Sequence, residues 1–439
     1  MVLFCFCWFL ALYGLTFILA KSNDIFSPIK FISVKYAVLN LCFILYICFY
    51  PDAFKKSILR VCNVTVEQAF LQYTIIQTIA YLSLIAGMLI LRPKKTDLMP
   101  ARHEYSYGNL RVLAMFAFAA GMGVYGLFLS RIGGLMYLLN NLNKRVELQG
   151  NQYILGLLPL LVIAALLLLA CIKLKNKAAD KLLFGFVTLT TLLVFNSFGG
   201  RLPSLIFIII LVVARHYMVA PLKLNKKNIL AFSALATILF FYVLAVPVIR
   251  QDKNSENTKY NHVKTFVYNV SYTYIDVFAA NYFNESNAWR LKGFFDPVSA
   301  LFAQKDKSMI PQVDQGVYFR SIVKYKKDFA PPMPRKDVSK VSWPTENFGF
   351  AYANFLIPGI VVFFFLQGVV FALAHRAIVK GNYHPVLIML YVEVIFNFNF
   401  SSLRLAHFIK ILPLLYVCYV VFNKFVKKQS VANSFKIKL

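Results

Sequence analysis

The sequence predicts an all-α polytopic membrane protein with about eleven transmembrane helices, and three observations support this. Hydrophobic residues make up 59% of the 439, charged residues only 15%, and mean hydropathy is +0.63. Apolar runs of roughly 17–25 residues recur along the chain, the length that a hydrocarbon core about 30 Å thick demands of a helix. Lysine and arginine gather in alternate connections between those runs, the pattern left by the positive-inside rule.

The runs fall at 1–20, 31–50, 69–91, 109–129, 152–172, 182–199, 204–220, 228–249, 347–372, 385–400 and 405–423. Each is expected to be helical, because lipid offers a backbone amide no partner outside its own segment. A transmembrane barrel would show alternating segments of about ten residues instead. The first run has no basic residue before Lys21, so it reads as an anchor that starts outside and not as a cleaved signal peptide. One set of connections is rich in cations: Lys21/Lys30/Lys35, Arg92/Lys94/Lys95/Arg102/Arg111, Lys173/Lys175/Lys177/Lys181, Arg215/Lys223/Lys226/Lys227, Arg376/Lys380 and the tail from Lys424. The alternate set is poor in them, holding Lys55/Lys56/Arg60, Arg131/Lys144/Arg145, Arg201, Arg404 and Lys410. The rich set is therefore assigned to the cytoplasm, with the amino terminus outside and the carboxy terminus inside. Three regions follow: 1–249 with eight spans, a large outer loop at 250–346, and 347–439 with three spans and a basic tail. The net charge of +29 is then topological, and no nucleic-acid partner is expected.

Several chemistries are excluded by missing motifs. The chain has no GxxxxGK, no GxGxxG after a strand, no HExxH and no GxSxG, which argues against a motor, a soluble nucleotide-sugar transferase and a zinc protease. No CxxC or Cys/His spacing suggests a metal or a disulfide framework, and no cofactor is expected. No internal repeat or matched pair of broken spans marks a secondary transporter.

What remains is a polar loop and three short constellations. The loop is dense in rings (Tyr268, Tyr272, Tyr274, Phe278, Tyr282, Phe283, Trp289, Phe294, Phe295) and carries Arg250, Arg290, Arg320 and Arg335. Rings stack on the apolar faces of sugars, and guanidinium forks grip phosphate oxygens, so the loop suits a ligand that is part sugar and part phosphate; a folded cap without a ligand has the same composition. In the turn Gly199-Gly200-Arg201-Leu202-Pro203-Ser204, two glycines permit a tight hairpin, and Arg201 either snorkels at the surface or faces a ligand under the loop. In Trp343-Pro344-Thr345-Glu346-Asn347-Phe348-Gly349-Phe350 the loop meets the ninth span. Thr345 or Asn347 can cap that helix, whereas Glu346 at the lipid–water boundary can serve as a base for a hydroxyl. In the tenth span Glu393 is an acid well inside the membrane. At 100° per residue Asn397, Arg404 and His407 share its face if the helix continues. A bond to Asn397 that locks two helices is the structural role favoured for Glu393, and ligand contact the one favoured for Arg404.

The overall plan, the Gly-Gly-Arg turn, the late outer loop and Glu346-Asn347-Phe348-Gly349 followed by Gly359 and Gly368 resemble the Wzy-type O-antigen (oligosaccharide repeat unit) polymerases. Related ligases that use lipid-linked donors share that plan. The resemblance implies a multi-pass enzyme of the bacterial inner membrane, acting at the periplasmic face without metal or nucleotide. It would move a growing glycan from undecaprenyl diphosphate onto the next undecaprenyl-diphosphate-linked repeat unit, working beside a flippase and a chain-length regulator of the same pathway. It implies arginines on the diphosphate, carried onto Arg201 and, by location, onto Arg250, Arg290 and Arg404; the residues themselves add Glu346, so Arg201, Glu346 and Arg404 are the catalytic candidates. Arg250, Arg290, Tyr272, His407 and Asn347 would bind substrate, with Glu393 and Asn397 as polar groups inside the membrane. The rival reading in another class is a flippase that moves the lipid-linked unit across the bilayer.

Overall fold

The computed structural model describes residues 1–20, 22, 24–51, 59–91, 105–142, 148, 153–199, 202–222, 226, 230, 237, 267–268, 271–290, 292, 315–331, 333, 335–339 and 342–426. Among them the regular elements are all helices. Nine of these are long and apolar enough to cross a membrane. In chain order the spans and the shorter helices between them are α1 (Val2–Leu19), α2 (Pro28–Phe49), α3 (Val66–Ile90), α4 (Tyr107–Ile132), α5 (Ile154–Lys175), α6 (Ala178–Ser197), α7 (Leu202–Val219), α8 (Thr273–Tyr282), α9 (Gln315–Tyr325), α10 (Asn347–Lys380), α11 (Pro385–Asn397) and α12 (Ser402–Phe425). Ten of the expected runs thus have a helix; the run at 228–249, apart from residues 230 and 237, lies outside the described residues.

Local chemistry sets the helix ends. Thr65 and Gln68 form a reciprocal capping box at the start of α3. Left-handed Gly133 (φ 94°) ends α4 and Asn176 (φ 47°) ends α5. Pro385 opens α11 behind His384, whose Nδ1 accepts the Val386 amide at 3.2 Å. Within α2 a π-turn at Ala37–Leu41 inserts one wide turn, and α7 ends in another at Arg215–Val219.

The core is the pairing of α3 with α10. At their crossing the backbones touch: a Cβ on Gly368 would lie 2.1 Å from the Leu84 carbonyl oxygen, and one on Gly87 would lie 2.0 Å from that of Phe365. Helices packed in lipid use small residues in this way. Gly368→Leu is therefore expected to force the pair apart, costing roughly 1–3 kcal/mol or more, since backbone must yield instead of a flexible side chain. A lowered Tm of the detergent-solubilised protein checks this, and an unchanged Tm refutes the tight crossing.

Two departures from the expected spans shape the centre of the molecule. First, α10 is not one span. Leu356 has φ 54° and ψ −140°, Pro358 follows, and the chain folds sharply there. The limb at 347–355 then runs back along the limb at 357–380: the rings of Phe350 and Phe363 lie 5.2 Å apart, and Asn347 Nδ2 donates to Gln367 Oε1 at 3.0 Å. Gly359 makes the fold possible, because a Cβ there would sit 2.4 Å from the Ala351 carbonyl oxygen.

Second, the tenth helix does not run on to His407. It stops at Asn397; Asn399 Oδ1 accepts from the Ser401 amide (3.0 Å) and hydroxyl (2.6 Å), and α12 starts at Ser402. This side-chain turn competes with the helix and wins.

The segment between 250 and 346 is not a detached cap where it is described. Asn281 Nδ2 donates to the Ala69 carbonyl (3.1 Å) and Gln72 Nε2 to that of Ala280 (2.7 Å), seating α8 on α3. Phe278, Phe283 and Trp289 are buried against Phe319 of α9 with ring centroids 5.3–5.8 Å apart. These rings form core, so the expectation that they face sugars is corrected. Phe294 and Phe295 lie outside the described residues.

Candidate functional site

The starts of two helices, α8 and α10, meet the middles of α2 and α3 at a small cavity of about 30 Å³, with room for roughly one or two waters. Its wall includes Lys35 and Asn40 from α2, Gln77 from α3, Tyr272 and Asp276 at the start of α8, and Glu346 at the start of α10. Gln77 lies 11 residues from Val66 and 13 from Ile90, about 17 and 20 Å along the helix at 1.5 Å per residue, so the cavity sits at mid-span.

This depth corrects two expectations. Glu346 is not at the ends of the helices, where a lipid–water boundary would fall; the fold at Leu356 carries it to the midpoint of the bundle. Nor is Lys35 one of a set of exposed terminal cations. Its Nζ donates to the Ile395 carbonyl at 3.0 Å, and its charge is attracted by Glu346 and repelled by Arg404. Sequence reasoning missed Lys35 as a site residue because it sits seven residues past Pro28, close enough to a span end to be counted with Lys30. A helix that starts at Pro28 and not at 31 was the available signal.

The helix breaks are stitched together beside the cavity. Gln367 Nε2 donates to the Phe398 carbonyl (2.7 Å), and the Phe400 amide reaches Asn347 Oδ1 (3.4 Å). Freed backbone groups thus find side-chain partners, as buried non-helical chain requires. Asn347 is committed to these bonds, so neither it nor Thr345 caps α10. The N-cap is Glu346, without a side-chain cap bond.

The polar set Glu393, Asn397, Arg404 and His407 does assemble, by a different route from a continuous helix. Asn397 Nδ2 donates to Glu393 Oε2 (2.6 Å), Arg404 donates to Asn397 Oδ1 (3.2 Å), and His407 Nε2 lies 3.8 Å from Glu393 Oε2. α12 folds back along α11, so the pairs meet across two antiparallel helices. The Glu393–Asn397 bond lies within α11 and locks no pair of helices by itself; the contacts of Arg404 and His407 are what cross to α12. Arg404 does not line the cavity, though its charge is felt at Lys35; the Asn397 bond uses one of the five N–H groups of its guanidinium.

The remaining candidates divide. Tyr272 lines the cavity. Arg290 does not: it is exposed, with its guanidinium on the Glu285 carbonyl at 3.2 Å and its amide on that of Asn354. Arg201 and Arg250 lie outside the described residues.

Behind the cavity Asn40 organises a buried network. It donates to Tyr13 Oη (2.6 Å) and accepts at Oδ1 from Tyr73 (3.2 Å) and from Thr273 (2.9 Å), tying α1, α2, α3 and α8. Near the opposite end of α10, Nε2 of His216 and of His375 each lie 3.2 Å from a different oxygen of Asp24, and Tyr217 donates to the same carboxylate at 2.7 Å. Nδ1 of His216 accepts the Leu222 amide (2.9 Å), so its proton is on Nε2, facing Asp24. Burial alone would raise the Asp24 carboxyl, yet the hydrogen bonds from His216 and His375 hold it below the usual carboxylate range. This second cluster fastens α7 and α10 to the α1–α2 connection.

The cavity can attract an anion with Lys35, aided by the charge of Arg404 beyond its lining, while keeping a carboxylate within reach of a hydroxyl. Among the described residues no group of three or more His, Cys, Asp or Glu side chains is placed to hold a metal ion. The fold defines a polytopic helical membrane protein. No protein-family model matches the chain, and no curated protein or solved structure matches it significantly.

Proposed function

We propose that the protein polymerises lipid-linked oligosaccharide repeat units, as a glycosyltransferase of the bacterial inner membrane with eleven spans and its site open to the periplasm. The observation that supports this best is the convergence of Glu346 and Lys35 on one cavity, with Arg404 near enough for its charge to act on Lys35. A sugar on a lipid diphosphate carries its own leaving group, so the protein must supply only two things. The acceptor hydroxyl gives its proton to Glu346 as its oxygen bonds to C1 of the donor sugar. The C1–O bond to the diphosphate breaks, and the electron pair leaves on a phosphate oxygen, whose charge Arg404 and Lys35 offset together with Arg201. The isoprenoid tails would lie between helices, in contact with the bilayer.

A transport reading is favoured by one feature: helices broken at mid-depth beside charged groups are also how many carriers build a substrate site. Reconstituted protein supplied with undecaprenyl-diphosphate-linked repeat units separates the two. Polymerisation predicts a ladder of longer glycans, with one undecaprenyl diphosphate released per bond formed. Transport predicts units that cross the bilayer at unchanged length, and that outcome overturns the proposal.

Orientation is tested by fusions to a reporter active only outside the cytoplasm. Activity is expected after Asn141 or Lys307 and none after Lys177 or Lys226; activity at both of the latter refutes the eleven-span topology. In cells, Arg201→Ala and Arg201→Lys are both expected to leave surface lipid with a single repeat unit, because lysine cannot bond two phosphate oxygens at once. A full-length ladder from Arg201→Ala would make that residue an anchor only.

A further inference from the structure

Glu346 has a second carboxyl beside it, and the chemistry above does not use it. Asp276, in the first turn of α8, lines the same cavity, is 9% exposed, and has an Oδ1 that is enclosed without a hydrogen-bond partner. An ionised oxygen in that position would be short of donors and would face another carboxylate, two costs that a single proton removes. We propose that Asp276 and Glu346 form one acid pair in which Asp276 keeps the proton and Glu346 stays ionised, with Asp276 a positioning residue for glycosyl transfer.

The groups around Asp276 fit this assignment. α2 presents Tyr36 and, across the cavity, Lys35; α3 presents Tyr73; α10 presents Glu346 and the Gly349 amide. Burial, reinforced by Glu346, holds the Asp276 carboxyl well above the usual carboxylate range against the pull of the Gly349 amide. Lys35 acts on Glu346, and Arg404 acts on Lys35. With one proton between the two acids, the cavity's one negative charge is balanced by Lys35, and Arg404 adds positive charge beyond the lining, so an anionic diphosphate is drawn in. A second carboxylate would cancel that attraction. It follows that raising the pH through the Asp276 titration adds an anion and should weaken both substrate binding and the fold, because a raised carboxyl pKa contributes stability in acid that is lost as pH rises.

The inference rests on the glycosyl-transfer reading for its role, so its test includes a measurement that needs no substrate. Infrared spectra of the protein in lipid nanodiscs at neutral pH should show the carbonyl band of a protonated carboxyl. The band should persist in Glu346→Gln and vanish in Asp276→Asn. Its absence from the unaltered protein, or its survival in Asp276→Asn, overturns the pair. In the polymerisation assay Asp276→Asn, which mimics the neutral acid, should lose the alkaline fall in activity that the unaltered protein shows. If folded Asp276→Asn, with an unchanged Tm, is as inactive as Glu346→Gln, Asp276 is required as a carboxylate and the proposal fails. If the band behaves as stated while no variant affects polymer formation, the acid pair stands and the transfer reading falls.

Discussion

Replacing Glu346 with glutamine should stop polymer growth while leaving the protein in the membrane at normal levels. The amide fills the same space and keeps the helix start, but it cannot take a proton from an acceptor hydroxyl. Loss of a general base typically costs about a hundred- to ten-thousandfold in rate. Cells carrying the variant should display lipid capped by a single repeat unit, and the purified protein should release little undecaprenyl diphosphate. The half-buried placement of Glu346, open to a small polar cavity, makes this the largest expected effect. Normal chain lengths from Glu346→Gln would leave α10 without a catalytic role. Complete loss of surface glycan, the single unit included, would instead favour transport, because the outer face would be starved of substrate.

Arg404→Ala should reduce polymerisation by about a hundred- to a thousandfold, the usual cost of removing one donor from a developing anion. Arg404→Lys should recover only part of that, since a point charge lacks the second, parallel hydrogen bond. Two checks separate this effect from damage to the fold. Arg404 also holds Asn397, so the Tm of Arg404→Ala is measured beside its rate, and an unchanged Tm assigns the loss to the anion contact. Lys226→Ala, far along the chain and assigned to the cytoplasmic side, should leave chain length unchanged. A full ladder from Arg404→Ala would shift the anionic role to Lys35 and Arg201.

Spans were legible because burial in lipid demands long apolar runs, and that demand is local and one-dimensional. The site was legible only in pieces. Glu393, Asn397, Arg404 and His407 were grouped by helical phase, and they do meet, but through a hairpin that phase arithmetic cannot distinguish from a straight helix. The turn was signalled weakly by Asn399 and Ser401, both good competitors for backbone bonds. The fold at Leu356 was hidden because residues 347–355 are as apolar and as helical as a span. One signal was present: Pro358-Gly359 within the run, a pair that breaks helices. Lys35 was misplaced because charge statistics count cations near span ends and cannot see which of them turns inward. The link from Glu346 to Asp276 joins residues 70 apart, and no pattern in the sequence announces it.

The π-turn at Ala37–Leu41 changes what Lys35 and Asn40 have in common. On a regular α-helix two residues five apart point about 140° from each other, onto different neighbours. Here both line the cavity, because the wide turn between them absorbs part of that angle. The wide turn therefore acts as a phase adjuster. A chain one residue shorter between Ala37 and Leu41 would keep its hydropathy, its span length and its charges, and would still insert. It would turn Lys35 toward a different helix and leave Glu346 without the cation it now faces. Length at this one point in α2 is a chemical specification, even though the side chains that fill it are ordinary.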